Sequence, residues 1–135
     1  MESGYFEHGA DVGVYGRGES VESAFAAAAE ATFRLMCSTT PIEDRERVAF
    51  EFEEADPELA LVAFLNGLLA AAGDRGLALG RFALAREGTR WKAEAWGEPW
   101  REGLERGTGV KGATLTMLSV RQEGGAWDAR CVVDV

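Results

Sequence analysis

Few residues in this chain can do chemistry unaided, and they sit at its two ends. The only histidine, His8, lies in the stretch EHGAD, three residues before Asp11. At the other end the sequence runs RCVVDV, with Asp134 and then Val135 and its α-carboxylate at the tip of an apolar stretch. Asp11, Asp134 and Val135 together would make an oxygen-rich set suited to a hard divalent cation such as Ca²⁺ or Mg²⁺. Gathering like charges costs free energy unless a cation or a proton neutralises them. Taken one at a time, the same residues read more plainly: His8 as a surface or capping residue, Asp11 as an acid on the solvent face of a strand. A lone histidine does not build a structural zinc site without further nitrogen or sulfur ligands. A hydrolase using His8 and Asp11 is the weakest reading, because the chain has no G-x-S-x-G nucleophile elbow.

The remaining motifs are better explained by structure than by chemistry. GTGVKGAT lacks the G-x-x-x-x-G-K-[ST] spacing of a phosphate loop and leads into a strand, so Lys111 is expected to open that strand. GVYGRG does not match G-x-G-x-x-G either. Cys37 and Cys131 form no CxxC motif and read as two reduced thiols. Trp91, Trp96, Trp100 and Trp127 fall in the C-terminal half and suit cross-strand packing. Trp100, in a charged loop, is the one to watch as a partner contact. The acid-rich run EDRERVAFEFEEADPE reads as a solvated face.

These residues must be positioned by a single domain spanning 1–135. Hydrophobic residues make up 47% of the chain, enough for a core and too many for disorder. The net charge is −9, from 23 acidic and 14 basic residues. That balance argues against a direct grip on nucleic acid, which draws on clustered Lys and Arg. A role in RNA biology would therefore run through another protein. The start, MESGYFEHG, lacks the basic and apolar regions of a signal peptide, and no run approaches about 20 apolar residues. The expectation is a cytoplasmic protein.

Periodicity supplies the elements. GYFEHGADVGVYGRG reads as one or two short strands, with a turn near Gly9 and a loop near Gly16 and Gly18. A helix opens on Ser20 as N-cap, with Val21, Ala24, Phe25, Ala28, Thr32, Leu35 and Met36 on one face. It should stop near STTP, where Pro41 disfavours helix at Thr40. Val48, Phe50 and Phe52 alternate with Arg47, Ala49 and Glu51, the pattern of a half-buried strand. A second helix starts at Asp56-Pro57, carries Leu61, Phe64, Leu65, Leu68, Leu69 and Ala72 inward, and ends at Gly73 or Gly76. Period-two patterns follow: a hairpin around Gly88 and Thr89, then VKGATLTMLSVRQEG and AWDARCVVDV as a hairpin around Gly124 and Gly125. The class is α+β, two helices packed against mixed or antiparallel sheet.

In this order the blocks resemble the archease family. FEHGADVGVYGRGESVESAFAAAAEATFRLMC is similar to its N-terminal Glu-His-x-Ala-Asp block and first helix. LVAFLNGLLAA resembles its second-helix block around Leu-Asn. WGEPW and GVKGATLTMLSV resemble its Gly-Glu-Pro and Val-Lys-Ala-x-Thr segments, and WDARCVVDV resembles its closing strand. The resemblance covers nearly the whole chain. It implies a small acidic accessory protein, not itself an enzyme, that promotes guanylylation and turnover of an RtcB-type RNA ligase in tRNA splicing and RNA repair. It also implies a metal site at Asp11, Asp134 and Val135. A chaperone-like role toward RNA-processing enzymes such as a tRNA methylase is the alternative it carries. Three positions depart from the family pattern. Gly67 stands where a Glu is usual after Leu-Asn. The histidine usual before Val-Lys is missing, and Thr116 stands near the position of the one after the Thr.

Overall fold

The computed structural model describes residues 2–39 and 41–135. In chain order they form β1 (Glu2–His8), β2 (Asp11–Gly18), α1 (Val21–Met36), β3 (Glu46–Glu53), α2 (Pro57–Arg75), β4 (Leu77–Glu87), β5 (Arg90–Pro99), β6 (Gly112–Ala113), β7 (Ser119–Glu123) and β8 (Ala126–Asp134). The strands make two sheets. One is five-stranded, in the order β1-β2-β8, with both β6 and β7 on the far side of β8; the other is three-stranded, β3-β5-β4. The class is the expected α+β, and every strand pairing among the described residues is antiparallel.

Local chemistry sets the helix ends. The Ser20 side chain accepts from the Ser23 N–H, and the Ser23 hydroxyl accepts in turn from the Ser20 N–H, a reciprocal cap. Helix α1 stops at Met36, with Cys37 extended after it; Thr40, invoked above as the residue before Pro41, lies outside the described residues. Asp56 caps α2 by accepting from the Glu58 N–H, Pro57 opens it, and Gly76 closes it at φ 64°, the left-handed position glycine takes without strain. By length and composition α2 is apolar enough to cross a membrane, contrary to the expectation from the sequence. Here its Ala60, Leu61, Phe64, Leu65 and Leu68 are buried in the protein's own core.

That core is one cluster shared by both helices and both sheets. Trp91 is fully buried, stacked at 5.4 Å on Phe25 of α1 and at 5.9 Å on Phe52 of β3, and its indole N–H donates to the Glu54 carbonyl. This satisfies the one polar atom of a large buried ring. The acid-rich run around β3 carries ion pairs instead of bare acids: Arg47–Glu94, Arg75–Glu46, and Arg90 with Glu51 and Glu53.

Two local readings are corrected. Gly16 and Gly18 are not in a loop but inside β2. A Cβ on Gly16 would overlap the Ala24 carbonyl and the Ala28 nitrogen, so this glycine lets α1 lie directly on the sheet. The stretch VKGATLTMLSV is not one strand: β6 and β7 are separated by an excursion over 114–118, with Met117 at φ 53°. Trp100, the tryptophan singled out to watch as a partner contact, is half-buried and packs against the small cluster of Cys37, Ala78 and Leu104, with Arg106 4.0 Å above its ring.

Candidate functional site

Strand register decides where the candidate residues meet. β1 and β2 are joined by a tight turn at Gly9 and Ala10, so His8 faces Asp11 across the ladder. The β2–β8 ladder ends with Val12 facing Val133, and its register carried one residue further sets Asp11 opposite Asp134. Asp134 is in turn paired with Gly112 of β6. His8, Asp11, Asp134 and Gly112 thus form one row across four strands at one end of the sheet.

The row lies on the face turned away from the helices. Side chains alternate along a strand. On β2 it is Val14, Gly16 and Gly18 that are buried against α1, and on β8 it is Ala129, Cys131 and Val133 that join the core. Asp11 and Asp134 fall on the opposite set. Asp11 is half-buried, His8 and Asp134 are exposed, and Val135 packs its side chain against the edge of the core.

What holds the tip in place is mostly backbone. The Lys111 N–H donates to the Asp134 carbonyl at 2.8 Å, which makes Lys111 the residue that opens a strand, as expected. Asn66 of α2 clamps the next residue from both sides: its Oδ1 accepts from the Ala113 N–H at 2.8 Å and its Nδ2 donates to the Ala113 carbonyl at 3.3 Å. Sequence reading marked the Leu-Asn block without a role for the amide; an asparagine within an apolar helix was the available signal. Gly67, next along α2, has a packing cause. A Cβ there would overlap the Phe50 ring of β3, so the side chain usual in the resemblance has no room.

Two charged groups that sequence reading passed over are buried. Asp128, 2% exposed, accepts two hydrogen bonds from Arg130 and one from Arg17, each at 2.8 Å. These bonds, Arg130's first, hold its carboxyl below the usual range. Arg130 also lies near the rings of Tyr15 and Phe6, at 5.5 and 5.8 Å. Glu98, fully buried, accepts from Arg101 at 2.6 Å and from the Glu43 N–H at 2.8 Å; the Arg101 bond is the main cause of its lowered pKa. Each carboxylate is spent inside the fold, locking loops or strands. Both cysteines are buried free thiols, and burial pushes Cys131 up to about 12, so it is no nucleophile at neutral pH.

Among the described residues no three His, Cys, Asp or Glu side chains gather closely enough to hold a metal. The row therefore offers two carboxylates, to which the family resemblance would add the Val135 carboxylate as a third oxygen donor. That all-oxygen set fits a hard cation in its chemistry. A cleft of about 670 Å³ lies elsewhere, lined by Phe33, Cys37, Ile42, Arg81 and Phe82 among others, and includes none of these residues.

Comparison with known proteins agrees with this fold. Residues 4–135 match the model of the Archease protein family (MTH1598/TM1083). The chain is 33% identical to protein archease of Aeropyrum pernix over 96% of its own length and 94% of that protein's. It is 36% identical to protein archease of Thermococcus gammatolerans, covering 97% and 96%. The solution structure of protein 1598 of Methanobacterium thermoautotrophicum superposes with a TM-score of 0.84 at 27% identity, covering 98% of both chains. The fold is also that of an archease from Thermotoga maritima described as a possible chaperone, with a TM-score of 0.68 at 21% identity. The chain belongs to the archease family.

Proposed function

We propose that this protein is a non-catalytic activator of an RtcB-type RNA ligase, working in the cytoplasm by protein contact, and that Asp11, Asp134 and Val135 hold a divalent cation, Ca²⁺ or Mg²⁺. The observation that supports the site is the β2–β8 register, which pairs Val12 with Val133 and, carried one residue further, brings the two carboxylates opposite each other. Like charges opposite each other destabilise a sheet unless something neutralises them. A bound divalent ion would do so and would leave coordination positions open to phosphate oxygens.

The chain's own part is positional. The β2–β8 ladder aligns the acids, and β6, clamped by Asn66, braces Asp134 through the Lys111 N–H. The net charge of −9 suits approach to a basic, RNA-holding surface. A multiple-turnover ligation assay with the cognate ligase, RNA, GTP and Mn²⁺ or Mg²⁺ tests the reading: adding the protein should accelerate sealing. Equal rates with and without it contradict the reading, and suppression of client aggregation would then favour the chaperone-like alternative.

A further inference from the structure

The segment between β6 and β7 does something a connecting strand would not. Leu115 is 64% exposed and Met117 55%, two large apolar side chains held out in solvent. They are not on a loose loop. The Thr114 N–H and hydroxyl both donate to the Val132 carbonyl, at 3.0 and 2.8 Å, and the Val132 N–H donates to the Thr116 carbonyl at 3.0 Å. The Thr116 N–H donates to the Thr114 hydroxyl at 3.2 Å. The excursion is thus fastened to β8 on both sides of Leu115, and Met117 holds φ 53°, a conformation that favours glycine. Local departures of this kind re-aim side chains beside functional sites.

Its anchor on β8, Val132, lies two residues from Asp134, about 7 Å along the strand. We propose that Leu115 and Met117 are a preorganised docking tip that seats in an apolar pocket of a protein partner, next to a cationic or metal-bearing centre that receives the Asp11–Asp134 row. The partner's chemistry follows from the surroundings. A second copy of this chain would bring together two molecules of net charge −9, and an anionic lipid surface would repel the same overall charge. A protein with an apolar pocket rimmed by positive charge complements both features at once. Fixing the tip in advance lowers the ordering cost of docking. The inference rests on the proposed activator role and adds the surface that delivers it.

The test separates docking from activation. The cognate ligase would be titrated with wild type, Leu115→Ser and Met117→Gly, reading both the half-saturating concentration and the plateau rate. Met117→Gly relieves the backbone strain, so a purely structural role for Met117 would leave the titration unmoved. The expected result is a half-saturating concentration raised at least tenfold in each variant, with the wild-type plateau reached at saturation and thermal unfolding unchanged or higher. Unchanged half-saturation in both variants would overturn the docking tip while leaving the activator role intact. No activation by wild type at any concentration would remove the activator role, and the tip with it. Self-association of wild type that the two substitutions abolish would overturn the proposal in favour of a second copy.

Discussion

Asp128 shows how much one side chain can carry. It is buried on β8, faces Arg17 across the β2 ladder, and shares its own strand face with Arg130 two residues on. Its carboxyl is lowered from an ordinary 3.8 by those partners. A carboxylate depressed in the folded state contributes stability that is fully present above its unfolded value and is lost as pH falls through the folded one. Asp128→Asn should therefore cost about 1–3 kcal/mol near neutral pH, the range for hydrogen bonds to charged groups. The gap to wild type in denaturant melts should hold steady from pH 8 to 5 and narrow below about pH 4. A gap independent of pH would show that the charge is not what matters. The Asp-x-Arg spacing was visible in the sequence, since alternate residues share a strand face. Its burial was not, because Arg17 is far away along the chain.

At the scale of elements, helices were the most legible part. The apolar stripe of α2, its Asp56-Pro57 opening and its glycine stop all follow from local rules, and the structure repeats them. The failures were at glycines. Gly16 looks like punctuation in a sequence, but its function is close approach: α1 rests on β2 where a Cβ would overlap the helix backbone. Gly16→Ala should destabilise by about 1–3 kcal/mol or more, the range for overpacking, because backbone cannot swing aside as a side-chain tip can. Gly67 presents the contrasting case. Only the Phe50 ring stands in the way there. Gly67→Ala should lose stability in the wild-type background. It should gain up to about 1 kcal/mol, the helix-propensity difference, in a Phe50→Ala background. A double-mutant cycle by urea melts measures the coupling, and additive effects would remove the packing explanation. The excursion over 114–118 escaped detection for another reason. Its alternating residues fit a strand, and only the pairing of β6 and β7 with the same neighbour reveals the break.

For the molecule as a whole, the site comes from topology. Asp11 and Asp134 stand at opposite ends of the chain, and no local rule joins them. The family resemblance named both, and the central position of β8 between β2 and the β6/β7 edge brings them into one row. The most direct measurement of the central claim is single-turnover guanylylation of the cognate ligase with GTP and Mn²⁺ or Mg²⁺, comparing wild type with Asp11→Asn and Asp134→Asn. The expected result is acceleration by wild type, loss of at least tenfold of that acceleration in each variant, and thermal unfolding unchanged or raised by removal of a like charge. Full acceleration by both variants would contradict a functional carboxylate site in this protein.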